Sequence, residues 1–218
     1  MKSILINPSI PEHYPGSDLY IPSGLLSIST ILQKHEVEVR LIDLNTVCRD
    51  DHETLLDNEI NNFKPDFIGV GCLFSVQFVE VVKLAEYIKN NHSIPIIIGG
   101  SHPTRHYNKI LSNCVCFDWI VVGEGELTIA EFVEVFKSGK NDFHNIDGLA
   151  YRDKDGIHYN ADRNLIVDLD DIPLPSYEVD ELYDFRKRVN ELISSIIKLR
   201  NDKRTSGYIY KKNIYAPR

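Results

Sequence analysis

Long apolar runs are absent from the 218-residue chain, and this absence limits the kind of protein it can be. The longest apolar stretches fall well short of the ~20 residues that cross a bilayer, so we expect no membrane contact. The N-terminus becomes polar by Asn7, which is too early for a signal peptide. Together these features predict a cytoplasmic protein.

Cysteine is scarce, and its spacing fits no metal site. The four thiols, none of them in a C-x-x-C or zinc-type pattern, are Cys48, Cys72, Cys114 and Cys116. An intracellular chain of this size needs no disulfides, so we expect reduced thiols, with Cys72 in the core. No H-x-x-H or H-E-x-x-H motif occurs either, which removes the usual zinc-enzyme signature.

The signatures of common nucleotide-binding proteins are also missing. The chain has no Walker lysine motif and no G-x-G-x-x-G after its first predicted strand, which argues against nucleotide hydrolysis and simple NAD binding. The strand ends lack the acidic residues and lysine of a phosphoacceptor receiver. Asn7-Pro8-Ser9 is a poor match to the hydroxyl-rich phosphate loop of a flavodoxin.

Charge is distributed unevenly along the chain. Residues 186–218 contain ten Lys and Arg against two acidic residues, so this tail is about +8 and the rest of the chain about −16, within a net charge of −8. A basic tail can bind nucleic acid, but an exposed segment or a partner-docking helix is the favoured interpretation. We therefore expect no nucleic-acid partner.

Short apolar runs alternate with amphipathic segments of helical length, a pattern typical of β-α-β units and a parallel sheet. Most runs are apolar at consecutive positions, as expected when helices cover both faces of the sheet. We predict an α/β, Rossmann-like (flavodoxin-like) fold with five parallel strands, and we expect Ser75 to cap the third helix. The predicted strands lie near Ile4–Ile6, Val37–Ile42, Phe67–Val70, Ile96–Ile98 and Trp119–Val122.

The pattern changes after about residue 140. Residues 148–160 contain an Asp155-Gly156 turn and predict a β-hairpin. Prolines in residues 168–177 predict an extended connector, and the apolar periodicity of residues 181–201 predicts one helix. The resulting division of the chain is a main domain of residues 1–140, a hairpin and connector of residues 141–180, and a basic helical or disordered tail of residues 181–218.

Two strand ends carry glycines, and these are the strongest chemical signal in the chain. Gly99-Gly100-Ser101-His102 follows the fourth strand, and Gly123-Glu124-Gly125 follows the fifth. Open α/β sheets bind ligands at these carboxyl ends. The glycines can expose backbone N–H groups to a cofactor, or they can simply form a tight strand-to-helix turn. Ser101 and Thr104 add hydroxyl donors and a helix N-cap, which favours an anion or ribose site.

Other polar residues near these glycines have two interpretations each. Glu124 and Glu126 can accept from a sugar hydroxyl or an amide, or can lie as solvated carboxylates at a helix start. His102 and His13 more often correspond to hydrogen-bonded structural histidines than to metal ligands.

These residues, in this order and spacing, resemble the N-terminal cobalamin-binding domain of B12-dependent radical SAM enzymes. The resemblance covers about residues 1–180. The segments that carry it are Asn7-Pro8, Pro22-Ser23-Gly24-Leu25-Leu26, Lys64–Val70, Gly99–Thr104, Gly123–Thr128 and Asp168–Tyr177.

The resemblance implies a Rossmann-like domain that holds cobalamin across the carboxyl ends of its strands. The corrin ring would lie on an apolar shelf that includes Val76, and the nucleotide tail would run along the sheet. The implied cofactor-binding residues are Asn7, Gly71, Leu73, Phe74, Ser75, Gly99, Gly100, Ser101, His102, Gly123, Glu124 and Gly125.

The chain departs from the wider group of B12 proteins and from the radical SAM family at two points. The D-x-H-x-x-G motif, which supplies a histidine to cobalt in other B12 proteins, is absent. We therefore expect that dimethylbenzimidazole is displaced from cobalt and that no histidine of such a motif replaces it. A cobalt bond from His13 or His102 stays a hypothesis. No cysteine follows Cys116, whereas a [4Fe–4S] cluster that activates S-adenosylmethionine needs three thiolates. We therefore expect no cluster in this chain and no catalysis by it alone.

The function predicted from these features is a cobalamin module that presents methylcobalamin to a radical SAM active site on another polypeptide or in a missing part of the protein. Two alternatives stay open. One is the corrinoid subunit of a two-component methyltransferase. The other is a degenerate domain that has lost its cofactor and acts in protein interaction.

Overall fold

The computed structural model describes residues 1–11, 22–140, 142–168, 170 and 172–175. All of these belong to one structural unit, Met1–Tyr183. Its strands are β1 (Lys2–Asn7), β2 (Glu38–Asp43), β3 (Phe67–Gly71), β4 (Ile96–Gly99), β5 (Trp119–Val121), β6 (Leu149–Asp153) and β7 (Gly156–Tyr159). Its helices are α1 (Ser23–Lys34), α2 (His52–Phe63), α3 (Phe78–His92), α4 (Ser101–Asn113) and α5 (Glu126–Ser138).

The strands form one seven-stranded sheet in the order β2-β1-β3-β4-β5-β6-β7. Strands β1 to β5 pair in parallel, which confirms the predicted α/β architecture and its five parallel strands. The predicted hairpin is β6-β7, and its two antiparallel strands pair with the edge of β5 and extend the sheet to seven strands. Pairing at this edge satisfies backbone groups of β5 that would otherwise be open.

Consecutive apolar residues of each strand point into two different cores, one on each face of the sheet. Ile4, Ile6 and Ile68 belong to the core covered by α2, α3 and α4. Leu5 and Phe67 belong to the core covered by α1 and α5. This alternation explains the continuous apolar runs, because both faces of a parallel sheet are buried by crossover helices.

A cluster of aromatic side chains packs α5 against the sheet. The ring of Phe132 lies 5.5 Å from Phe67 and 5.1 Å from Trp119, both in edge-to-face contact. Phe136 and Phe143 each stack on Phe132 with a centroid distance of 5.5 Å. Large aromatic side chains bury much apolar area, so this group contributes strongly to the position of α5.

Two predicted helix caps are wrong. Ser75 begins a short 3-10 turn, Ser75–Gln77, that precedes α3, and its hydroxyl pairs with His102 instead of a helix N–H. The amide of Phe74 donates to Gln77 Oε1 at 3.1 Å in this turn. Ser101 is the first residue of α4 and its hydroxyl donates to the carbonyl of Leu73, so the N-cap position falls on Gly100.

Several predictions lie outside the described residues. These are the helix at 181–201, the basic tail, His13, and part of the connector at 168–177. The domain boundaries at residues 140 and 180 stay a prediction. Within the described part of the chain, no helix has the length and apolar character to span a membrane.

Candidate functional site

A cleft of about 450 Å³ opens at the carboxyl ends of β1, β3, β4 and β5. The strand order reverses between β1 and β3, and ligands of open α/β sheets bind at such a switch point. The cleft continues between the sheet and α1 as far as Leu5, Phe67 and Ile97, and its lining is mainly apolar. The cleft can therefore take a ligand whose flat apolar part lies beside the sheet and whose polar part lies at the rim.

Two glycines at the rim leave room for a ligand. No described atom outside the adjoining backbone lies within 4 Å of a Cβ built on Gly24 or on Gly123. Gly123 also has a φ of +85°, a region that disfavours residues with a side chain. Both residues line the cleft. The space that side chains would take at these positions is thus open.

Two other glycines allow α1 to approach the strand ends. A Cβ on Gly71 would lie 3.3 Å from Leu25 Cδ1, and one on Gly125 would lie 3.0 Å from Ile28 Cδ1. Leu25 and Ile28 form the α1 wall of the cleft together with Leu32. The sequence did not identify these three as cleft residues, because local patterns could not position α1 over the strand ends.

Gly100 is required by the turn itself. Its φ is +118°, and a Cβ there would lie 2.5 Å from the carbonyl oxygen of Cys72. The amide of Cys72 donates to Gly99 at 2.8 Å, and the amide of His102 donates back to Cys72 at 3.3 Å. This close backbone approach is by itself a sufficient reason for a glycine at position 100. The contacts therefore support the tight-turn interpretation, and the exposure of this backbone to a cofactor stays a prediction.

The loop after β3 forms an exposed apolar rim. Leu73, Phe74 and Val76 are 47%, 37% and 42% exposed, and Leu73 also lines the cleft. The first turn of α4 holds this loop, because Ser101 donates its hydroxyl to the Leu73 carbonyl. The predicted apolar shelf therefore exists as a surface at the mouth of the cleft, and its contact with a corrin ring stays a prediction.

His102 also contacts the loop after β3, through Ser75. Its Nδ1 lies 2.9 Å from Ser75 Oγ, and its ring is placed between Phe78 at 4.5 Å and His106 at 4.8 Å. Burial, with a smaller contribution from His106, lowers the pKa of His102 below its usual value. No histidine is among the described residues that line the cleft. The described part of the chain also contains no cluster of three His, Cys, Asp or Glu residues that could hold a metal ion.

Asn7 lines the cleft but its amide is bound within the protein. It is only 3% exposed, and its Nδ2 donates to Asp43 Oδ1 at 3.0 Å. The same oxygen accepts from the backbone N–H of Asn45 at 2.9 Å. Sequence reasoning missed Asp43 and Asn45. The Asp43-Leu44-Asn45 sequence directly after a strand is an aspartate-turn signal that could have revealed them.

Two glutamates, one in the β5–α5 loop and one at the start of α5, accept hydrogen bonds from the protein itself. Glu126 accepts from the Ser27 hydroxyl at 2.8 Å, which joins α5 to α1. Glu124 accepts from the backbone N–H of Ile166 at 2.9 Å. Both line the cleft. Glu126 lies at the start of α5, as one of the two interpretations expected, and a ligand contact by either glutamate stays a prediction.

Cys72 lies at the bottom of the loop and lines the cleft as a neutral thiol. Burial raises its pKa to about 12. The side chain is 1% exposed, which confirms its predicted core position. A thiol with so high a pKa is a poor nucleophile and metal ligand at neutral pH.

Comparison with known proteins assigns the chain to a family. The model of the B12 binding domain matches residues 17–133, more than half of the chain. The chain belongs to the B12 binding domain family. It is therefore a cobalamin-binding domain, and its fold is the one predicted by the resemblance. The matched residues include β2 to β5 and all five helices except the end of α5.

Curated relatives connect this domain to methyltransferases. An uncharacterized methyltransferase of Pyrococcus horikoshii is 30% identical over 159 residues, which are 72% of this chain and 34% of that protein. The cytidylyl-2-hydroxyethylphosphonate methyltransferase of Streptomyces wedmorensis is 30% identical over 175 residues, 71% of this chain and 32% of that protein. The chain thus spans about a third of the length of these relatives.

Solved structures of cobalamin-dependent radical enzymes share the fold. The radical S-adenosylmethionine methyltransferase TsrM of Kitasatospora setae, with cobalamin and a [4Fe-4S] cluster bound, has a TM-score of 0.65 at 20% identity over 77% of this chain and 30% of its own. OxsB with aqua-cobalamin and S-adenosylmethionine has a TM-score of 0.66 at 19% identity over 87% of this chain and 25% of its own. The cobalamin-binding domain predicted by the resemblance is confirmed by the family model, and these structures share its fold.

Proposed function

We propose that this chain holds cobalamin in the cleft and serves as the methyl-carrier module of a radical SAM methyl transfer. The observation that carries the proposal is the cleft at the β1–β3 switch point, which combines an apolar interior with a glycine rim. When bound, cobalamin would supply a cobalt centre that accepts and releases a methyl group. The chain's own residues would bind and orient the cofactor.

The lining residues fit the parts of cobalamin. The apolar interior beside Leu5, Phe67 and Ile97 suits the flat dimethylbenzimidazole of the nucleotide tail. The rim residues Gly99 and Gly123 suit the ribose and phosphate, because they present backbone without a side chain. The exposed loop residues Leu73, Phe74 and Val76 would support the apolar face of the corrin ring.

The position of the described histidines supports a bound state in which dimethylbenzimidazole has left cobalt and no protein histidine has taken its place. The described lining of the cleft contains no imidazole, and His102 is placed between Phe78 and His106. With dimethylbenzimidazole inside the cleft, the described lining residues offer no imidazole to replace it on cobalt. His13 lies outside the described residues, and its role as a cobalt ligand stays a hypothesis.

The reaction itself requires more protein than this domain. The relatives named as methyltransferases are about three times as long as the matched segment. No cysteine occurs after Cys116, so the cluster that cleaves S-adenosylmethionine would come from another polypeptide or from a further part of a longer chain. Copurification of a protein with three cluster cysteines would support the two-component form.

A side chain placed in the open space at Gly24 tests the cleft directly. Gly24→Phe lies on α1 at a cleft-lining position, whereas Gln33→Phe puts the same ring on the exposed end of the same helix. Purified variants are titrated anaerobically with hydroxocobalamin, desalted, and examined by visible spectroscopy.

We expect about one base-off cobalamin per chain in the natural protein and in Gln33→Phe. Gly24→Phe should raise the Kd at least about tenfold, a change of about 1.4 kcal/mol, with an unchanged free energy of unfolding. Absence of cobalamin from the natural protein would favour the degenerate interaction domain. Equal binding by Gly24→Phe would place the cofactor elsewhere.

A further inference from the structure

Residues 160–167, here called the strap, return from β7 to the rim of the cleft. The strap is held at its start by backbone and amide bonds. The amide of Gly148 donates to the Ala161 carbonyl at 2.8 Å. The side-chain amide of Asn160 donates to the carbonyls of Phe143 and Ile146 at 2.7 and 2.8 Å. These bonds fix the direction in which the chain leaves the sheet.

Arg163 attaches the middle of the strap to α5. Its Nε donates to Thr128 Oγ1 at 2.8 Å and to the Asp147 carbonyl at 3.1 Å. Its Nη1 donates to Glu131 Oε1 at 3.1 Å, and Nη2 donates to the second oxygen of the same carboxylate. The Arg163 side chain is only 11% exposed. A two-pronged arginine–carboxylate contact of this kind is both strong and specific in orientation.

Ile166 then reaches the loop between β5 and α5. Its backbone N–H donates to Glu124 Oε2 at 2.9 Å, across 42 residues of sequence. Glu124 lies between Gly123 and Gly125, and all three line the cleft. Glycines lose much conformational freedom when a loop is ordered, so a restraint from outside the loop contributes to its order.

We infer that the strap is a working part of the cofactor site, in which Arg163 and Ile166 act as positioning residues that hold the Gly123-Glu124-Gly125 rim. The inference rests on the proposed function, because it treats this rim as the contact for cobalamin. Neither residue lines the cleft, so their effect passes through Glu124 and the start of α5. Because coupling between sites is reciprocal, occupancy of the cleft should also order the strap.

Ile166→Pro is the sharpest variant, because it removes the N–H donor to Glu124 and leaves the carboxylate in place. Val167→Pro is the matched control, since it puts the same ring one residue later at a side chain that is 99% exposed. Arg163→Ala tests the attachment to α5, and Glu124→Ala removes the acceptor. Amide hydrogen exchange of residues 122–127 without cobalamin gives a readout that does not depend on the cofactor.

We expect Ile166→Pro, Arg163→Ala and Glu124→Ala to raise the exchange rate of the amides at positions 123 and 124 about fivefold, as the loss of one hydrogen bond predicts. The Kd for hydroxocobalamin should rise by a similar factor, while Val167→Pro changes neither. Unchanged exchange in Ile166→Pro and Glu124→Ala would overturn the inference. If the natural protein retains no cobalamin, the proposed function fails, whereas the exchange measurement still decides whether the strap holds the rim.

Discussion

The Nδ1 atom of His102 lies 2.9 Å from the hydroxyl oxygen of Ser75, and this pair joins the start of α4 to the loop that follows β3. The neighbouring Ser101 hydroxyl and His102 amide bind the carbonyls of Leu73 and Cys72 in the same loop. Three contacts from two consecutive residues thus hold the apolar rim of the cleft. The Ser-His sequence after the paired glycines is explained by this support.

Single and double alanine variants of Ser75 and His102 should show coupled losses of stability. One hydrogen bond between them is worth about 0.5–1.5 kcal/mol in the free energy of unfolding, measured with urea. His102→Ala should bind cobalamin a few-fold more weakly, with an unchanged visible spectrum of the bound cofactor. A changed spectrum would show instead that His102 reaches cobalt, and additive losses would show that the pair does not interact.

Acidification should destabilise the protein in part through His102. Burial and His106 lower the pKa of this histidine in the folded state. As the pH falls below about 6.5, the unfolded chain therefore binds a proton that the folded chain resists, and stability is lost. Urea unfolding on either side of this pH should show a smaller loss in His102→Gln than in the natural protein. Equal pH dependence in the two proteins would contradict the prediction.

Neighbouring glycines should respond differently to alanine. Gly100→Ala should cost about 1–3 kcal/mol or more, because it forces a side chain into a glycine-type conformation and against the Cys72 carbonyl. Gly99→Ala serves as the control, since among described residues its Cβ would meet Val121 at an ordinary 3.5 Å. Chemical denaturation measures both. Equal stability of the two variants would show that the turn relaxes to accept the side chain. Any loss of cobalamin binding by Gly100→Ala must be corrected for the fraction of this variant that is unfolded.

The aromatic group under α5 should dominate the stability of the domain. Phe132→Ala should lower the free energy of unfolding by about 3–5 kcal/mol, because it leaves a cavity between four other rings. Trp119 lies 5.1 Å from Phe132, so its fluorescence reports the transition. Val115→Ala, at a side chain that is 83% exposed, should change stability by less than about 0.5 kcal/mol. A similar small effect of Phe132→Ala would contradict this packing.

The cysteines should differ in their reaction with iodoacetamide near neutral pH. Cys48 is exposed and should be alkylated in the folded protein. Burial raises the pKa of Cys72 to about 12 and that of Cys116 to about 11, so both should react only after unfolding. Mass spectrometry of peptides from native and urea-treated samples measures this. Rapid labelling of Cys72 in the native state would show that the loop after β3 opens.

Local sequence patterns were sufficient to predict much of the fold. Apolar runs of strand length, separated by amphipathic segments, predicted β1 to β5 and the parallel sheet, because the period of apolar residues reports which faces are buried. The Asp155-Gly156 turn predicted the β6-β7 hairpin. The resemblance, carried by short motifs at strand ends, predicted the cobalamin-binding family that the B12 binding domain match confirms.

The contacts within the site depend on strand order, which local patterns do not contain. The hairpin edge that pairs with β5 and the approach of α1 to Gly71 were not predictable from spacing. The same is true of the bond from Ile166 to Glu124, which joins residues far apart in sequence.

The sequence by itself determined the element types, the parallel sheet and the glycine-bearing strand ends, because these follow from local periodicity and backbone freedom. Only the tertiary structure decided that Gly100 serves a backbone approach to Cys72, that Asn7 binds Asp43, and that the strap reaches the cleft rim. The physical reason is that hydrogen bonds and close packing between distant residues form only after the sheet order brings their elements together.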